Sequence, residues 1–390
     1  MVNKDPIELY IHIPFCAKKC DYCDFLSAPA DTAVQDAYME QLIKEIRVQG
    51  KCYGDYYVST VYIGGGTPTV LRATHIANIM SALYESWTVD ASAEISLECN
   101  PGTVDADKLA VYASAGVNRL SIGLQSTHNE ELKILGRIHT YEDFLTTYEA
   151  ARQTGFNNIN VDLMSGIPGQ TVDIFRDSLQ KVVLLRPEHI SAYSLIIEEG
   201  TPFYDRYSGY EGQKLLPSEE TDRDIYHMTA EFLLRSDYKR YEISNYCRNG
   251  YESRHNMGYW TGAEYLGMGL GSSSFVKSHR FHNEKDLRTY LALNIGSDIT
   301  PFYQDIEKID RNAAMEEFMI FGLRLTKGVS SAEFYERFGA NMYDEFDYAI
   351  SKNIRNGLLI RENQTLRYTE KGMDLANQAE VDFYDHTFEY

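Results

Sequence analysis

The chain has 390 residues, of which 44% are hydrophobic and 24% are charged. That length exceeds the roughly 250–300 residues at which a single core stops growing, so we expect one large domain and at least one smaller domain. The formal charge of −20 argues against nucleic-acid binding, because an acidic chain repels a phosphate backbone. Neither a secretory signal nor a run of roughly 18 apolar residues is visible, and the sequence therefore predicts a cytoplasmic protein.

Strand-like and helix-like segments alternate through the first half of the chain. Six such alternations predict parallel β/α units, which are too few for an eight-stranded barrel but suit a partial barrel or an open sheet. Gly50, Gly116 and Gly155 are expected to end helices. The predicted strands are Leu9–Ile13, Thr60–Ile63, Glu94–Glu98, Arg119–Gly123, Asn158–Leu163 and His189–Tyr193, and the predicted helices are Asp36–Val48, His75–Tyr84, Asp107–Ala115, Tyr141–Thr154 and Phe175–Leu185.

The second half of the chain has a different pattern. A Gly-, Pro- and Tyr-rich crossing leads to a predicted helix at Glu219–Arg235 and then to a Gly-rich stretch. Towards the end, two helical patterns, a hairpin at Gly357–Thr369 and a closing helix resemble a small winged-helix fold that serves for packing. We therefore expect an α/β protein. Its predicted parts are a partial parallel (β/α)6 barrel over 1–245, a connecting segment over 246–305 and a winged-helix-like α+β domain over 306–390.

Three cysteines, Cys16, Cys20 and Cys23, follow the first predicted strand on one short loop. Three thiolates on a loop can each reach a different iron of a [4Fe–4S] cluster, and the fourth iron then stays open to a small molecule. The competing interpretation is a zinc site completed by His12. That histidine is expected within the strand, where the backbone does not easily bring it round to the cysteines.

Other distinctive residues fall at the ends of the next predicted strands. A glycine run at 64–66 follows the second strand, Glu98 ends the third, Gln125 ends the fourth and Asp162 lies in the fifth. In parallel β/α folds the ligand site lies at the carboxyl ends of the strands. We therefore expect these residues and the cysteine loop to converge on one face of the sheet.

The Cys-x-x-x-Cys-x-x-Cys spacing, with Gly-Gly-Gly-Thr-Pro at 64–68, resembles the radical S-adenosylmethionine superfamily. The resemblance implies a [4Fe–4S] cluster that binds S-adenosylmethionine and cleaves it to methionine and a 5′-deoxyadenosyl radical. Blocks at 10–16, 121–126, 135–139, 160–163, 166–169 and 199–202 are similar to the oxygen-independent coproporphyrinogen oxidase group. That similarity implies contacts with S-adenosylmethionine by Tyr10, Gly65, Gly66, Thr67, Glu98, Gln125, Arg137 and Asp162.

Two features divide that group. The porphyrinogen oxidases have a fourth cysteine two positions after the third and a long N-terminal extension, whereas this chain has Phe25 there and begins its cysteine motif at residue 16. The stretch His-Asn-Met-Gly-Tyr-Trp at 255–260 resembles the His-Asn-x-x-Tyr-Trp motif of the HemW family of heme chaperones. It implies heme contact by His255, Tyr259 and Trp260. The alternative is that the histidine is simply satisfied within the fold. Many relatives also have Gly-Ala-His shortly afterwards, where this chain reads Gly-Ser-Ser-Ser at 271–274.

These resemblances favour a heme chaperone that binds a [4Fe–4S] cluster, S-adenosylmethionine and heme. It would deliver heme to an acceptor hemoprotein and take electrons from a donor such as a flavodoxin or a ferredoxin, and any membrane association would come through the acceptor. The second hypothesis is an enzyme that oxidatively decarboxylates coproporphyrinogen III. A third, more distant hypothesis is a zinc-stabilised interaction protein without redox chemistry.

Overall fold

The computed structural model describes residues 4–296 and 302–384 of the chain. The strands of its large sheet are β1 Asp5–Ile13, β2 Tyr56–Gly65, β3 Thr88–Cys99, β4 Arg119–Gln125, β5 Ile159–Ser165, β6 His189–Ser194, β7 Lys239–Arg240, β8 Asn245–Cys247, β9 Tyr265–Met268, β10 Ser273–Val276, β11 His279–Asn283 and β12 Tyr303–Lys308. Within the described residues these twelve strands are hydrogen-bonded in the order β12-β11-β10-β9-β1-β2-β3-β4-β5-β6-β8-β7. The sheet is mostly parallel and does not close into a full barrel.

Strands β1 to β6 form the parallel part of the sheet, with each strand beside its neighbour in sequence. They lie in register, so their carboxyl ends reach similar levels. The aligned pairs include Ile11–Ile63, Ile63–Leu97, Leu97–Leu120 and Leu120–Ile159. Strand β9 adds to β1 in parallel on one side, and β8 adds to β6 in antiparallel orientation on the other. All six predicted strands are confirmed, each of them longer than predicted, and so is the partial barrel.

Seventeen α-helices surround or follow the strands within the described part of the chain. They are α1 Thr32–Cys52, α2 Ala73–Ser86, α3 Ala106–Ser114, α4 Asn129–Ile134, α5 Tyr141–Gln153, α6 Val172–Leu185, α7 Pro202–Tyr207, α8 Tyr210–Gln213, α9 Glu219–Arg235, α10 Arg254–Thr261, α11 Leu287–Ala292, α12 Arg311–Leu323, α13 Ser331–Phe338, α14 Met342–Glu345, α15 Asp347–Arg355, α16 Glu370–Asp374 and α17 Ala376–Glu380. Several begin at a residue whose side chain accepts from a free backbone N–H of the first turn, such as Asp31 before α1 and Thr140 before α5. None of the described helices combines the length and the apolar composition that crossing a bilayer requires.

The glycine predictions have different outcomes. Gly116 and Gly155 follow α3 and α5 with φ near +101°, the left-handed conformation in which helices often end. The prediction for Gly50 is wrong, because α1 continues through it to Cys52. A Cβ atom at Gly50 would lie 2.6 Å from the Cβ of Ser86 at the end of α2. This glycine therefore serves the close approach of two helices.

The two faces of the sheet differ in polarity, as β1 illustrates. Ile7, Leu9 and Ile11 are fully buried and belong to the apolar core shared with the outer helices. Because successive side chains of a strand point to opposite faces, Glu8 and Tyr10 lie on the inner face of the curved sheet. The interior of the partial barrel is consequently lined with polar groups.

The C-terminal part has its own sheet and core. Strands β13 Val329–Ser330, β14 Leu359–Glu362 and β15 Thr365–Tyr368 are arranged in the order β13-β15-β14. They pack with α12 to α17 around a separate apolar cluster, which confirms the smaller C-terminal domain and its hairpin. The predicted connecting segment at 246–305 contributes β9, β10 and β11 to the large sheet, and its residues 297–301 lie outside the described residues.

Candidate functional site

A cavity of about 420 Å³ opens at the carboxyl ends of the parallel strands. It brings together the predicted cluster ligands and all the predicted S-adenosylmethionine contacts except Tyr10. The predicted residues that line it are Cys16, Cys20, Cys23, Gly65, Gly66, Thr67, Glu98, Gln125, Arg137 and Asp162. Tyr10 lies behind this wall, with its hydroxyl 3.0 Å from Nδ1 of His12.

The cysteine loop presents its three thiols, each partly exposed, to the cavity. Thr67 donates to Sγ of Cys16 at 3.6 Å, and Arg137 donates to Sγ of Cys20 at 3.5 Å. Burial raises the pKa of the Cys23 thiol to about 11, and the neighbouring Cys20 and Cys16 add to the effect. The three sulfur atoms are thus neighbours with a cation beside them, which is the donor set that a [4Fe–4S] cluster requires.

Glycines at the end of β2 make room for the cysteine loop. Gly65 has φ +113°, and a Cβ atom on it would lie 2.5 Å from the imidazole of His12. A Cβ atom on Gly66 would lie 2.6 Å from the carbonyl oxygen of Phe15 and 3.0 Å from Sγ of Cys16. Both positions therefore favour glycine, since a larger residue would displace the imidazole of His12 at position 65 and the cysteine loop at position 66.

Two carboxyl groups lie on the inner wall of the cavity. Glu98 accepts from the hydroxyl of Tyr62 and from the backbone N–H of Gly65, both at 3.0 Å, and burial raises its pKa to about 7. Asp162 accepts from the amide of Asn160 at 2.7 Å, and burial raises its pKa as well. Each keeps acceptor capacity for the hydroxyl groups of a ligand.

The zinc hypothesis has little support in this geometry. Both ring nitrogens of His12 are engaged, Nδ1 by Tyr10 and Nε2 by the carbonyl oxygen of Leu26 at 3.0 Å. Among the described residues no three His, Cys, Asp or Glu side chains are grouped closely enough for a single metal ion. A cubane spreads its thiolates over different irons. Phe25, at the position of the fourth cysteine of the oxidases, is 59% exposed.

The histidine of the His-Asn-x-x-Tyr-Trp motif lies inside the fold, on α10. His255 is 1% exposed, with Nδ1 2.7 Å from Oγ1 of Thr60 and Nε2 2.9 Å from the hydroxyl of Tyr259. Its ring stacks on Tyr62 at 5.2 Å, and burial lowers its pKa to about 3. Heme contact by this imidazole stays a prediction, and direct ligation would have to break one of these hydrogen bonds.

The glycine of the same motif has a packing role. A Cβ atom at Gly258 would overlap both carboxyl oxygens of Glu8. Burial, and then the charge of Glu94, raises the pKa of Glu8 to about 8, and its Oε2 has no hydrogen-bond partner among the described residues. The same oxygen lies 3.7 Å from Nδ1 of His255. The inner face of α10 therefore closes the barrel at the end opposite the cysteine loop.

The two aromatic residues of the motif also border the space between α10 and the C-terminal domain. Tyr259 and Trp260 line a second cavity, of about 270 Å³, and the guanidinium of Arg324 lies 4.4 Å from the indole centroid. In the Gly-Ser-Ser-Ser stretch, Ser272 donates to the carbonyl oxygen of Gly269 at 2.8 Å, which fixes the turn that follows β9.

Known protein families match both the N-terminal and the C-terminal part of the chain. The family model of the Radical SAM superfamily matches residues 10–182, and that of the HemN C-terminal domain matches residues 309–375. The chain is 34% identical to the heme chaperone HemW of Lactococcus lactis over 376 residues, which cover 96% of each protein. It is also 34% identical to heme chaperone HemW of Bacillus subtilis, covering 95% of this chain and 97% of that one. The chain belongs to the HemW family.

This HemW family member also shares its fold with a solved enzyme. Coproporphyrinogen III oxidase (HemN) from Escherichia coli, described as a radical SAM enzyme, superposes with a TM-score of 0.84 at 24% identity. The match covers 98% of this chain and 91% of the enzyme. The likeness extends through both domains, so the fold alone does not separate a chaperone from an oxidase.

Three side chains of this HemW family member support the predicted site but were not predicted. Asn100 donates to Oγ1 of Thr67 at 2.7 Å and accepts from Arg137 at 2.8 Å. The hydroxyl of Tyr193 donates to Gln125 at 2.8 Å, and Tyr62 supports Glu98 as described above. Asn100 directly follows β3, so the strand-end rule that identified the others applies to it equally. The two tyrosines carry no comparable signal in a chain with 30 of them.

Proposed function

We propose that the chain is a heme chaperone that binds heme and transfers it to an acceptor hemoprotein. The observation that carries this proposal is the 34% identity to heme chaperones over nearly the whole chain. The complete His-Asn-x-x-Tyr-Trp motif at 255–260 and the absence of a cysteine at position 25 support it further. A one-electron donor such as a flavodoxin or a ferredoxin belongs to the same proposal.

In this proposal the cysteine loop holds a [4Fe–4S] cluster beside S-adenosylmethionine. When bound, the cluster supplies the electron for reductive cleavage of the sulfonium. Arg137 lies between the Cys20 thiol and Asn100, where its charge offsets thiolate charge and can pair with a ligand carboxylate. The proposed S-adenosylmethionine residues are Tyr10, Gly65, Gly66, Thr67, Glu98, Gln125, Arg137 and Asp162; of these, Tyr10 acts from behind the cavity wall.

The proposal assigns different tasks to the residues of the heme motif. Tyr259 and Trp260 contact heme in the second cavity, which both of them line. His255 acts as a positioning residue, because its 2.9 Å hydrogen bond holds the hydroxyl of Tyr259. Replacing His255 by Ala should therefore weaken the heme Soret band, whereas His279→Ala, on strand β11, should leave it unchanged.

One experiment separates the chaperone from the oxidase. Anaerobically reconstituted protein receives heme, coproporphyrinogen III, S-adenosylmethionine and a reductant together. We expect a shifted Soret band with heme retained on the protein, and unchanged coproporphyrinogen. Conversion of coproporphyrinogen without heme uptake would refute the chaperone and support the enzyme. Purified protein that contained zinc in place of iron would support the interaction protein.

A further inference from the structure

Six aromatic side chains surround the second cavity, which lies between α10, the start of β9, strand β10 and helix α12 of the C-terminal domain. All six are half-buried, so the cavity is a cleft with apolar walls that water still reaches. We call it the aromatic cleft. Its aromatic residues are Tyr259, Trp260, Tyr265, Phe275, Phe318 and Phe321.

Two arginines stand among these rings, and they differ in their partners. Arg280 forms a two-pronged ion pair with Glu317, at 2.8 and 3.1 Å, so its charge is neutralised. Among the described residues, Arg337 donates to the backbone carbonyl oxygens of Thr261 and Gly262, at 3.2 and 3.3 Å. Within residues 4–296 and 302–384 no carboxylate forms an ion pair with it at 4.0 Å or less, although Glu317 attracts its charge from a greater distance. The cleft therefore offers one cation to an incoming anion.

The chain makes room for this cation. Gly262 ends α10 with φ +69°, and a Cβ atom on it would lie 2.8 Å from a terminal nitrogen of Arg337. The guanidinium can therefore reach from α13 of the C-terminal domain to the end of α10. Trp260, near the same end, carries a ring nitrogen without a hydrogen-bond partner among the described residues. Both domains thus contribute to a single cleft.

We propose that heme docks in the aromatic cleft, with its macrocycle against the aromatic walls and one propionate paired with Arg337. This inference rests on the proposed function, since it locates the heme of the proposed chaperone. Aromatic faces beside a cation match the chemistry of a planar tetrapyrrole that carries carboxylates. A volume of about 270 Å³ lies below the 300–1,000 Å³ usual for pockets that enclose a ligand. The cleft would therefore hold part of the macrocycle and leave the rest open to an acceptor.

The charge in this proposal is tested with Arg337→Gln and two ligands, heme and heme dimethyl ester. The ester lacks the propionate charges but keeps the macrocycle. In absorbance titrations of the full-length protein, the variant should bind heme about tenfold more weakly, the range of one charged hydrogen bond. Its affinity for the ester should equal that of the wild type. Arg361→Gln is the matched control, because Arg361 lies in the same domain over Tyr343, at 3.8 Å.

The location is tested with Ala314→Trp, which fills the cleft from α12. It should weaken heme and the ester equally, while Ala332→Trp, exposed on α13, should change neither. Cluster content and circular dichroism report whether each variant folds. Unchanged heme affinity in either Arg337→Gln or Ala314→Trp would overturn the cleft and leave the chaperone standing. A wild-type protein that binds no heme would overturn the proposed function itself.

Discussion

The two ends of the barrel are lined by different kinds of side chain. At the carboxyl ends of β1–β6, thiols, carboxyl groups, amides and a guanidinium line one cavity, and four of the six strands carry or lead into one of these groups. At the opposite end, the walls of the aromatic cleft come from one helix, three short strands and the C-terminal domain. Polar residues that follow parallel strands come close together because the carboxyl ends of these strands lie at the same edge of the sheet. A cleft between domains depends instead on how the domains pack.

The two sites are connected through the interior of the barrel. Tyr62 donates to Glu98 in the cysteine-lined cavity, and its ring stacks on His255, which is hydrogen-bonded to Tyr259 at the aromatic cleft. This row of four side chains is continuous, and His255 in it is fully buried. These side chains lie between the two cavities and link them through direct contacts. A variant in one cavity therefore tests whether ligand binding in the other cavity changes.

Removing one cysteine should abolish the cluster site and leave the aromatic cleft intact. Cys20→Ala should lower the iron content of reconstituted protein from about four per chain to almost none, since a cubane needs all its thiolates. Heme affinity should stay within about twofold of the wild type, because the aromatic cleft is untouched. Iron and sulfide analysis with a heme titration checks both. Cys52→Ala, at an exposed cysteine, is the control. Full iron content in the Cys20 variant would show that the ligand assignment is wrong.

Gly258→Ala should disturb the floor of the barrel. The added methyl group would overlap the carboxyl group of Glu8, and overpacking of this kind typically costs about 1–3 kcal/mol. We expect an apparent melting temperature lower by several degrees, measured by calorimetry on apo protein. Gly209→Ala is the comparison, because a Cβ atom there meets open space. Equal melting temperatures for the two variants would contradict the packing role of the motif glycine.

The pH dependence of the protein's stability should show that the Glu8 carboxyl is buried. The pKa of Glu8 is about 8 in the folded protein and 4.5 in the unfolded chain. Its contribution to the free energy of unfolding is therefore fully present below pH 4.5 and is lost as the pH rises to 8. Glu8→Gln should therefore gain stability over the wild type across this window, by a few kcal/mol at most. Calorimetry at pH 5 and pH 8 measures the difference, with the surface variant Glu130→Gln as control. A gain that does not grow with pH would contradict a buried Glu8 carboxyl.

The cysteine-lined site could be predicted because strand ends are visible in the sequence and parallel strands bring them together. The interior position of His255 could not, because its partner Thr60 lies 195 residues away and the motif itself reveals no contact. The prediction that Gly50 ends a helix was wrong for a related reason, because this glycine is needed for the close contact of α1 with Ser86. Strands β9 to β11 were missed because they are short and lie beside glycines and serines. Local patterns therefore predicted the elements, and distant contacts decided their roles.

The cluster and heme should occupy separate sites, and the distance between the two bound ligands can be measured. Along β1, Glu8 and Ile13 are five residues apart, about 16 Å at the usual strand rise. Pulsed electron paramagnetic resonance can measure the distance between the reduced cluster and copper(II) protoporphyrin IX bound in place of heme. We predict simultaneous binding and a separation of at least about 16 Å. A shorter distance, or displacement of the porphyrin by S-adenosylmethionine, would place both ligands in one cavity and show that the two sites are not separate.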